Sequence, residues 1–194
     1  MKVLIACEYS GKVRDAFLAK GHDAISCDIL PTESPGPHYQ GDVRDMLNQH
    51  WDLIIAHPPC TYFSNAGLHY LKTQPGRLQK LQKAFEFVKL IWNYKCSAVC
   101  IENPIGWLNT NWKKPDQIIS PYHFGEPHIK KTYLWLRGIP ELKHTNNIGK
   151  PNPLGFCIKS NGRRYNYYYH QSKSAKERAR FFDCIAQAMA DQWG

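Results

Sequence analysis

Leu53-Ile54-Ile55-Ala56-His57-Pro58-Pro59-Cys60 is the stretch on which the reading of this chain turns. Four consecutive apolar residues suit a strand buried on both faces, as in a parallel sheet. The Pro-Pro step ends that strand. Each proline fixes φ and removes a backbone donor, so the loop that follows is stiff and its shape is set locally. A thiol there would stand at the carboxyl end of a strand, where open α/β sheets bind their ligands. Ala98-Val99-Cys100-Ile101 repeats the pattern and runs into Glu102-Asn103-Pro104.

Upstream, residues 3–7 read as a first buried strand, Glu8-Tyr9-Ser10-Gly11 as a turn, and 12–19 as a helix with Val13, Ala16 and Phe17 on one side. Gly21 suits a helix C-terminus. Residues 23–27 form a second strand that ends in Asp28. Strand, turn, helix, strand and acid make the layout of a nucleotide-binding half-fold. Residues 30–40 carry Pro31, Pro35, Gly36 and Pro37, so a loop is expected where a crossover helix would stand. Residues 61–75 read as a long loop. The clearest helix is 77–94, with Leu78, Leu81, Ala84, Phe85, Val88 and Ile91-Trp92 on one stripe and Lys80, Lys83 and Lys89 facing away.

Beyond Glu102, residues 106–115 read as irregular, and Thr132-Tyr133-Leu134-Trp135-Leu136 has strong β preference. Residues 140–164, with Pro140, Pro151, Pro153 and glycines 149, 155 and 162, read as a loop-rich insert. Residues 174–193 read as a closing helix with Phe181, Ile185, Ala188-Met189 and Trp193 on one side. The expectation is one α/β domain over 1–194: a doubly wound, mostly parallel sheet, a late antiparallel hairpin near 122–136, and helices on both faces.

Composition bounds the partners. Hydrophobic content of 43% and charged content of 21% are ordinary for a globular protein, but the formal net charge is +9. That charge, with 13% aromatic residues, fits a polyphosphate partner. Seven cysteines with no CxxC pair argue against both a disulfide framework and a local zinc site. Cys7, Cys27 and Cys100 lie in or beside apolar runs, where a thiol packs as a small hydrophobe. The chain enters a strand at once and no apolar run approaches a membrane span, so a cytoplasmic protein without a signal peptide is expected.

A thiol and a carboxyl group on neighbouring strand ends are the parts needed to attack and protonate a pyrimidine ring. C5 of cytosine is a poor nucleophile until a thiolate adds at C6. That role is open to Cys60 if its proton can be removed. Protonation at N3 calls for a carboxylic acid at the Watson-Crick edge, a role open to Glu102. A cation near O2 would stabilise developing charge, and Lys130-Lys131 offers one.

The series resembles the DNA cytosine-5 methyltransferase family, above all its compact phage-borne members. Ala6-Cys7-Glu8-Tyr9-Ser10-Gly11 is similar to the family's first cofactor motif, with Asp28 as the acid for the ribose hydroxyls and Ile29 beside it. Gly41-Asp42-Val43 resembles the motif that reads the adenine amino group. Pro58-Pro59-Cys60 resembles the nucleophile motif and Glu102-Asn103 the Glu-Asn pair. Residues 124–132 are similar to the stretch holding the Gln-x-Arg-x-Arg strand, and residues 185–190 resemble the final helix.

The resemblance implies a class I, Rossmann-like fold, S-adenosylmethionine as cofactor, DNA as partner, and methyl transfer to C5 of cytosine. Catalytic roles fall to Cys60, Glu102 and Lys131. Cofactor contacts fall to Glu8, Tyr9, Ser10, Gly11, Asp28, Ile29, Asp42, Val43 and Pro58. Nucleic-acid contacts fall to Ser64, Asn103, Lys130, Arg163, Arg164 and Tyr167.

Three departures stand out: Glu8-Tyr9-Ser10 replaces a run of glycines, Pro104 follows the Glu-Asn pair, and lysines replace arginines, which they do not match as bidentate donors. Where larger relatives carry a recognition domain, only residues 137–169 are available. There Arg163-Arg164-Tyr165 and Tyr167-Tyr168-Tyr169 suit phosphates and base stacking. An amino-group methyltransferase would carry Asp, Asn or Ser before Pro-Pro and an aromatic residue after it; this chain has His57 and Cys60. Methylation of RNA or of a free cytosine nucleotide, or a non-catalytic DNA-binding role, would also be compatible with this set of residues.

Overall fold

The apolar runs pair side by side. In the computed structural model, which describes residues 1–158, 160–168 and 181–194, the strands are β1 (Lys2–Ala6), β2 (Asp23–Asp28), β3 (His38–Gln40), β4 (Leu53–Ala56), β5 (Ala98–Pro104), β6 (Gln117–Ile119), β7 (Thr132–Arg137), β8 (Gly155–Ile158) and β9 (Arg164–Tyr167). The helices are α1 (Lys12–Ala19), α2 (Val43–Met46), α3 (Asn65–Leu68), α4 (Arg77–Trp92), α5 (Trp107–Asn111) and α6 (Asp183–Trp193). Seven strands form one sheet in the order β3-β2-β1-β4-β5-β7-β6. The first five are parallel, whereas β7 runs antiparallel to β5 and β6 antiparallel to β7. This is the doubly wound, mostly parallel sheet with a late hairpin that the sequence implied.

Alternation along each strand sorts the core into two layers. Val3, Ile5, Leu53, Ile55, Cys100 and Leu134 face α1 and α6, where Val13, Phe17, Ile185 and Met189 complete the cluster. Leu4, Ala6, Ile54, Ala56, Val99 and Ile101 face the other way, onto Leu81, Val88 and Ile91 of α4 and the indoles of Trp51 and Trp135. The chain winds outward from β1 to β3 and then returns to β4, so order reverses between β1 and β4. That reversal opens a crevice beyond their carboxyl ends.

Several local expectations are corrected. Residues 30–37 are a loop, but His38–Gln40 pairs with β2 as a short edge strand. Residues 61–75 are not plain loop: 3-10 turns at Cys60–Tyr62 and His69–Lys72 flank α3. Residues 106–115 contain α5. The hairpin begins at Gln117, earlier than expected, because Tyr122 lies in a 3-10 turn, Pro121–His123, that Pro121 starts. Leu78 is 55% exposed, since the first turn of α4 overhangs the sheet. Within the insert, β8 and β9 make a separate two-stranded ribbon. Residues 174–180 of the expected closing helix, and Tyr169, lie outside the described residues.

The 30–37 loop owes its shape to Arg14, which is fully buried on α1. Its guanidinium donates to Ser26 Oγ (3.1 Å), Thr32 Oγ1 (3.2 Å) and the carbonyls of Ser34 (3.0 Å) and Pro35 (3.3 Å), and it pairs with Asp15 at 2.8 Å. A buried cation is tolerated when its donors are satisfied in this way. Arg14→Ala strips those acceptors of their partner and leaves a cavity. The prediction is a loss of roughly 3 kcal/mol in urea denaturation, with faster amide exchange across residues 30–37. Unchanged exchange there would mean that the prolines alone hold the loop.

Candidate active site

The two chemistry-bearing loops leave adjacent parallel strands. Ala56 pairs with Ile101, so His57-Pro58-Pro59-Cys60 and Glu102-Asn103 emerge side by side. Successive residues of β5 point to opposite faces, which gives the pair two different jobs. Asn103, buried, donates from Nδ2 to the Pro58 carbonyl at 2.8 Å and clamps the loop that carries the thiol. Glu102 turns the other way and meets His57 Nδ1 at 3.2 Å. The loops are stitched again further out, where Trp107 N–H donates to the Phe63 carbonyl (2.7 Å) and Ser64 bridges Gly106. Arg77 closes the outside of the thiol loop, donating to the Thr61 carbonyl (2.7 Å) and covering the Tyr62 ring at 4.4 Å.

Cys60 opens its 3-10 turn with an exposed thiol. Desolvation and the neighbouring Glu102 charge push that thiol above its ordinary value, while Lys130 pulls it back. The Glu102 carboxyl feels the opposite balance. Burial alone would raise it, but the His57 hydrogen bond and charge, with Lys130, hold it below the usual carboxylate range. At neutral pH the resting site therefore holds a protonated thiol and an ionised carboxylate.

Lys130 is the lysine whose charge acts on both groups. Glu102 pairs with Leu134, and continuing the β7 alternation backward puts residue 130 on the same side. Lys131, expected as the catalytic cation, is exposed instead. His57 is the member of the cluster that sequence reasoning missed as a functional residue. It stood next to the Pro-Pro step, but its partner lies on another strand.

The residues expected to hold a cofactor have differing duties in the fold. Glu8 is buried and spent on the fold: its carboxylate accepts from Val13 N–H (2.8 Å), Arg14 N–H (3.3 Å) and the Ser10 hydroxyl (3.2 Å), capping α1. Gly11 holds φ +76 before that helix, close against Arg14. The Tyr9 carbonyl accepts from Glu33 N–H at 2.8 Å, joining this turn to the 30–37 loop. Cys7, at the end of β1, is in the left-handed region with φ 60, a strained state for a non-glycine residue.

Asp28 ends β2 and accepts from Leu30 N–H at 2.9 Å, beside an Ile29 that is 75% exposed. Asp42 caps α2 through Arg44 N–H (2.9 Å) and pairs with the Arg44 guanidinium (2.7 Å). Val43 is buried in the core. Pro58 is buried beneath the thiol loop. Ser64 precedes α3 and holds the Gly106 bridge. Arg163, Arg164 and Tyr167 lie exposed on the β8–β9 ribbon, with Arg164 over the Phe156 ring at 4.0 Å. Among the described residues no cluster suited to a metal ion occurs, and no helix is long and apolar enough to cross a membrane.

No protein-family model matches the chain, and no curated protein does. Among solved structures, it is similar to one described as a DNA modification methyltransferase encoded within an E. coli prophage, at 15% identity and a TM-score of 0.46. That match covers 69% of this chain and 45% of the other. A co-crystal of WbdD with a kinase inhibitor matches at 12% identity and a TM-score of 0.35, over 86% of this chain and 41% of that one. The chain thus spans less than half the length of either.

The electrostatics predict how Cys60 reacts. Glu102→Gln removes the charge that raises the thiol, so iodoacetamide labelling at fixed pH should speed up. Lys130→Ala removes the charge that lowers it, so labelling should slow. Peptide mapping separates Cys60 from the other exposed thiol, Cys157. Equal rates in all three proteins would mean that these charges do not reach Cys60.

Proposed function

We propose that the chain is an S-adenosylmethionine-dependent methyltransferase that makes 5-methylcytosine in DNA. One observation carries the reading: a thiol and a carboxylate stand on neighbouring strand ends beside the switch-point crevice, with one lysine acting on both. The net charge of +9 and the exposed ribbon bearing Arg163, Arg164, Tyr165 and Tyr167 support a polyanionic, stackable substrate. Methylation at C5 requires the base to leave the stack, so an aromatic surface on which bases can stack is useful.

The flank of the crevice fits the cofactor's nucleoside. An acid that ends a strand, next to a strongly exposed apolar side chain, suits ribose hydroxyls beside an adenine face, and Asp28 with Ile29 offers this. Asp28, Ile29 and Asp42 would hold that end, with the 7–11 turn along the crevice. When bound, the cofactor supplies an electrophilic methyl group. The protein does the rest. Cys60, its proton lost to solvent, adds to C6 as thiolate, Glu102 meets the Watson-Crick edge and passes a proton to N3, and Lys130 offsets charge that develops on the ring; C5 then gives its hydrogen to solvent as the thiolate is expelled and N3 returns its proton. The rigid Pro58-Pro59 step and the Asn103 clamp keep the thiol in register with Glu102.

Incubation with DNA and methyl-labelled S-adenosylmethionine, followed by nucleoside analysis, should put label in 5-methylcytosine. Cys60→Ala should lose that label while keeping the fold. Label in an N-methylated base, or transfer by the alanine variant at the wild-type rate, would sink the reading. Separately, Asp28→Ala should weaken cofactor binding by roughly 1.5–3 kcal/mol, as expected for losing a hydrogen bond to a charged group. Unchanged affinity by calorimetry would move the cofactor elsewhere.

A further inference from the structure

We infer that His57 holds the proton that Glu102 delivers, so that the imidazole and carboxylate work as one proton-carrying unit; this rests on the cytosine-C5 reading of the site. The His57 and Glu102 side chains are only 12% and 13% exposed, and Nδ1 lies 3.2 Å from Oε2. His57 continues the face of Ile55, toward α6, and its ring packs on Phe181 with centroids 4.8 Å apart. Its Nε2 is buried and meets no hydrogen-bond partner among the described residues, so the bond to Glu102 is the polar contact that orients the ring. Glu102 rests ionised, so it is poorly suited to store a proton for N3 by itself. A basic group bonded directly to it can.

Charged and titratable groups nearby come from five segments. Glu102 comes from β5, the Cys60 thiol from the loop after β4, and Lys130 from the segment before β7. Ahead of α1, the Glu8 carboxylate is spent on helix amides, and Asp183 at the start of α6 is paired with Lys12 at 2.7 Å. Glu102 is therefore the anion placed to stabilise an imidazolium at His57.

The step balances as follows. The Cys60 thiol first loses its proton to water; the thiolate pair then forms the S–C6 bond, the C5=C6 π pair moves between C4 and C5, and the C4=N3 π pair goes to N3. His57 Nδ1 passes its proton to the Glu102 carboxylate, which hands it on to N3, leaving a neutral imidazole and an ionised Glu102. Without cofactor, C5 then takes a proton from water and returns its original hydrogen to water. Expulsion of the thiolate sends the N3 proton back through Glu102 to His57. The net change is one C5 hydrogen exchanged with solvent. His57 acts through Glu102, as a positioning residue, and does not touch the base.

That exchange is the test, because it needs no cofactor. Wild-type protein with DNA labelled with tritium at cytosine C5 should release label along a bell-shaped pH profile governed by two ionisations, one of the thiol and one of the imidazole. His57→Asn keeps a donor where Nδ1 stood but cannot titrate. It should slow release by roughly 100-fold, the usual scale of acid–base assistance, and leave a single rising limb. Release by His57→Asn with the wild-type profile would overturn the inference while leaving the Cys60 reading intact. No Cys60-dependent release and no 5-methylcytosine from wild type would overturn both. Nitrogen-15 NMR of His57 in the wild-type DNA complex covers a variant that fails to fold. The imidazole must ionise at the pH of one limb, and a single charge state across the bell would overturn the proposal.

Discussion

The hydrogen bond from Asn103 to the Pro58 carbonyl ties together the two strand ends on which everything at the crevice depends. Pro58 and Pro59 bring no backbone donors of their own, so that step of the loop after β4 cannot fasten itself by donating. It relies on acceptors, and β5 supplies the donor. Because consecutive residues of a strand face opposite ways, two neighbours in sequence can at once clamp the loop and meet His57. Moving either by one place would swap their faces. The Glu-Asn order is thus a geometric requirement of the site.

A second constraint acts on the other side of β1. Arg14 gathers the Leu30 to Pro37 region from beneath, while Glu8 caps the helix that carries Arg14. These two buried charges do not pair with each other; each is satisfied by hydrogen bonds, several of them to backbone groups. The flank that bears Asp28 and Ile29 is therefore held by polar groups, whereas the thiol side is held by prolines and a buried amide.

Between the walls, charge is arranged asymmetrically. Cys60 is biased toward its thiol and Glu102 toward its carboxylate, the reverse of the states in which they would start a C6 addition. Lys130 favours the reactive state of the first and the resting state of the second. On the proposed chemistry, a site poised in this way would need a proton carrier besides the carboxylate, and the imidazole of His57 is bonded to it.

Local pattern was enough to specify β1, α1, β2, β4, α4, β5 and β7, because burial on both faces or on one helical stripe leaves a periodic signature. It also brought Cys60, Glu102 and Asn103 into view, since each follows an apolar run at a strand end. Contacts between distant segments were not legible. The His57–Glu102 bond joins residues 45 positions apart, and the acceptors of Arg14 are loop carbonyls that any sequence could supply. Nor could sequence choose between Lys130 and Lys131, because only the register of β7 on β5 says which one faces Glu102. Short-range hydrophobic periodicity belongs to the chain itself; which polar atoms meet across strands is decided only when the sheet closes.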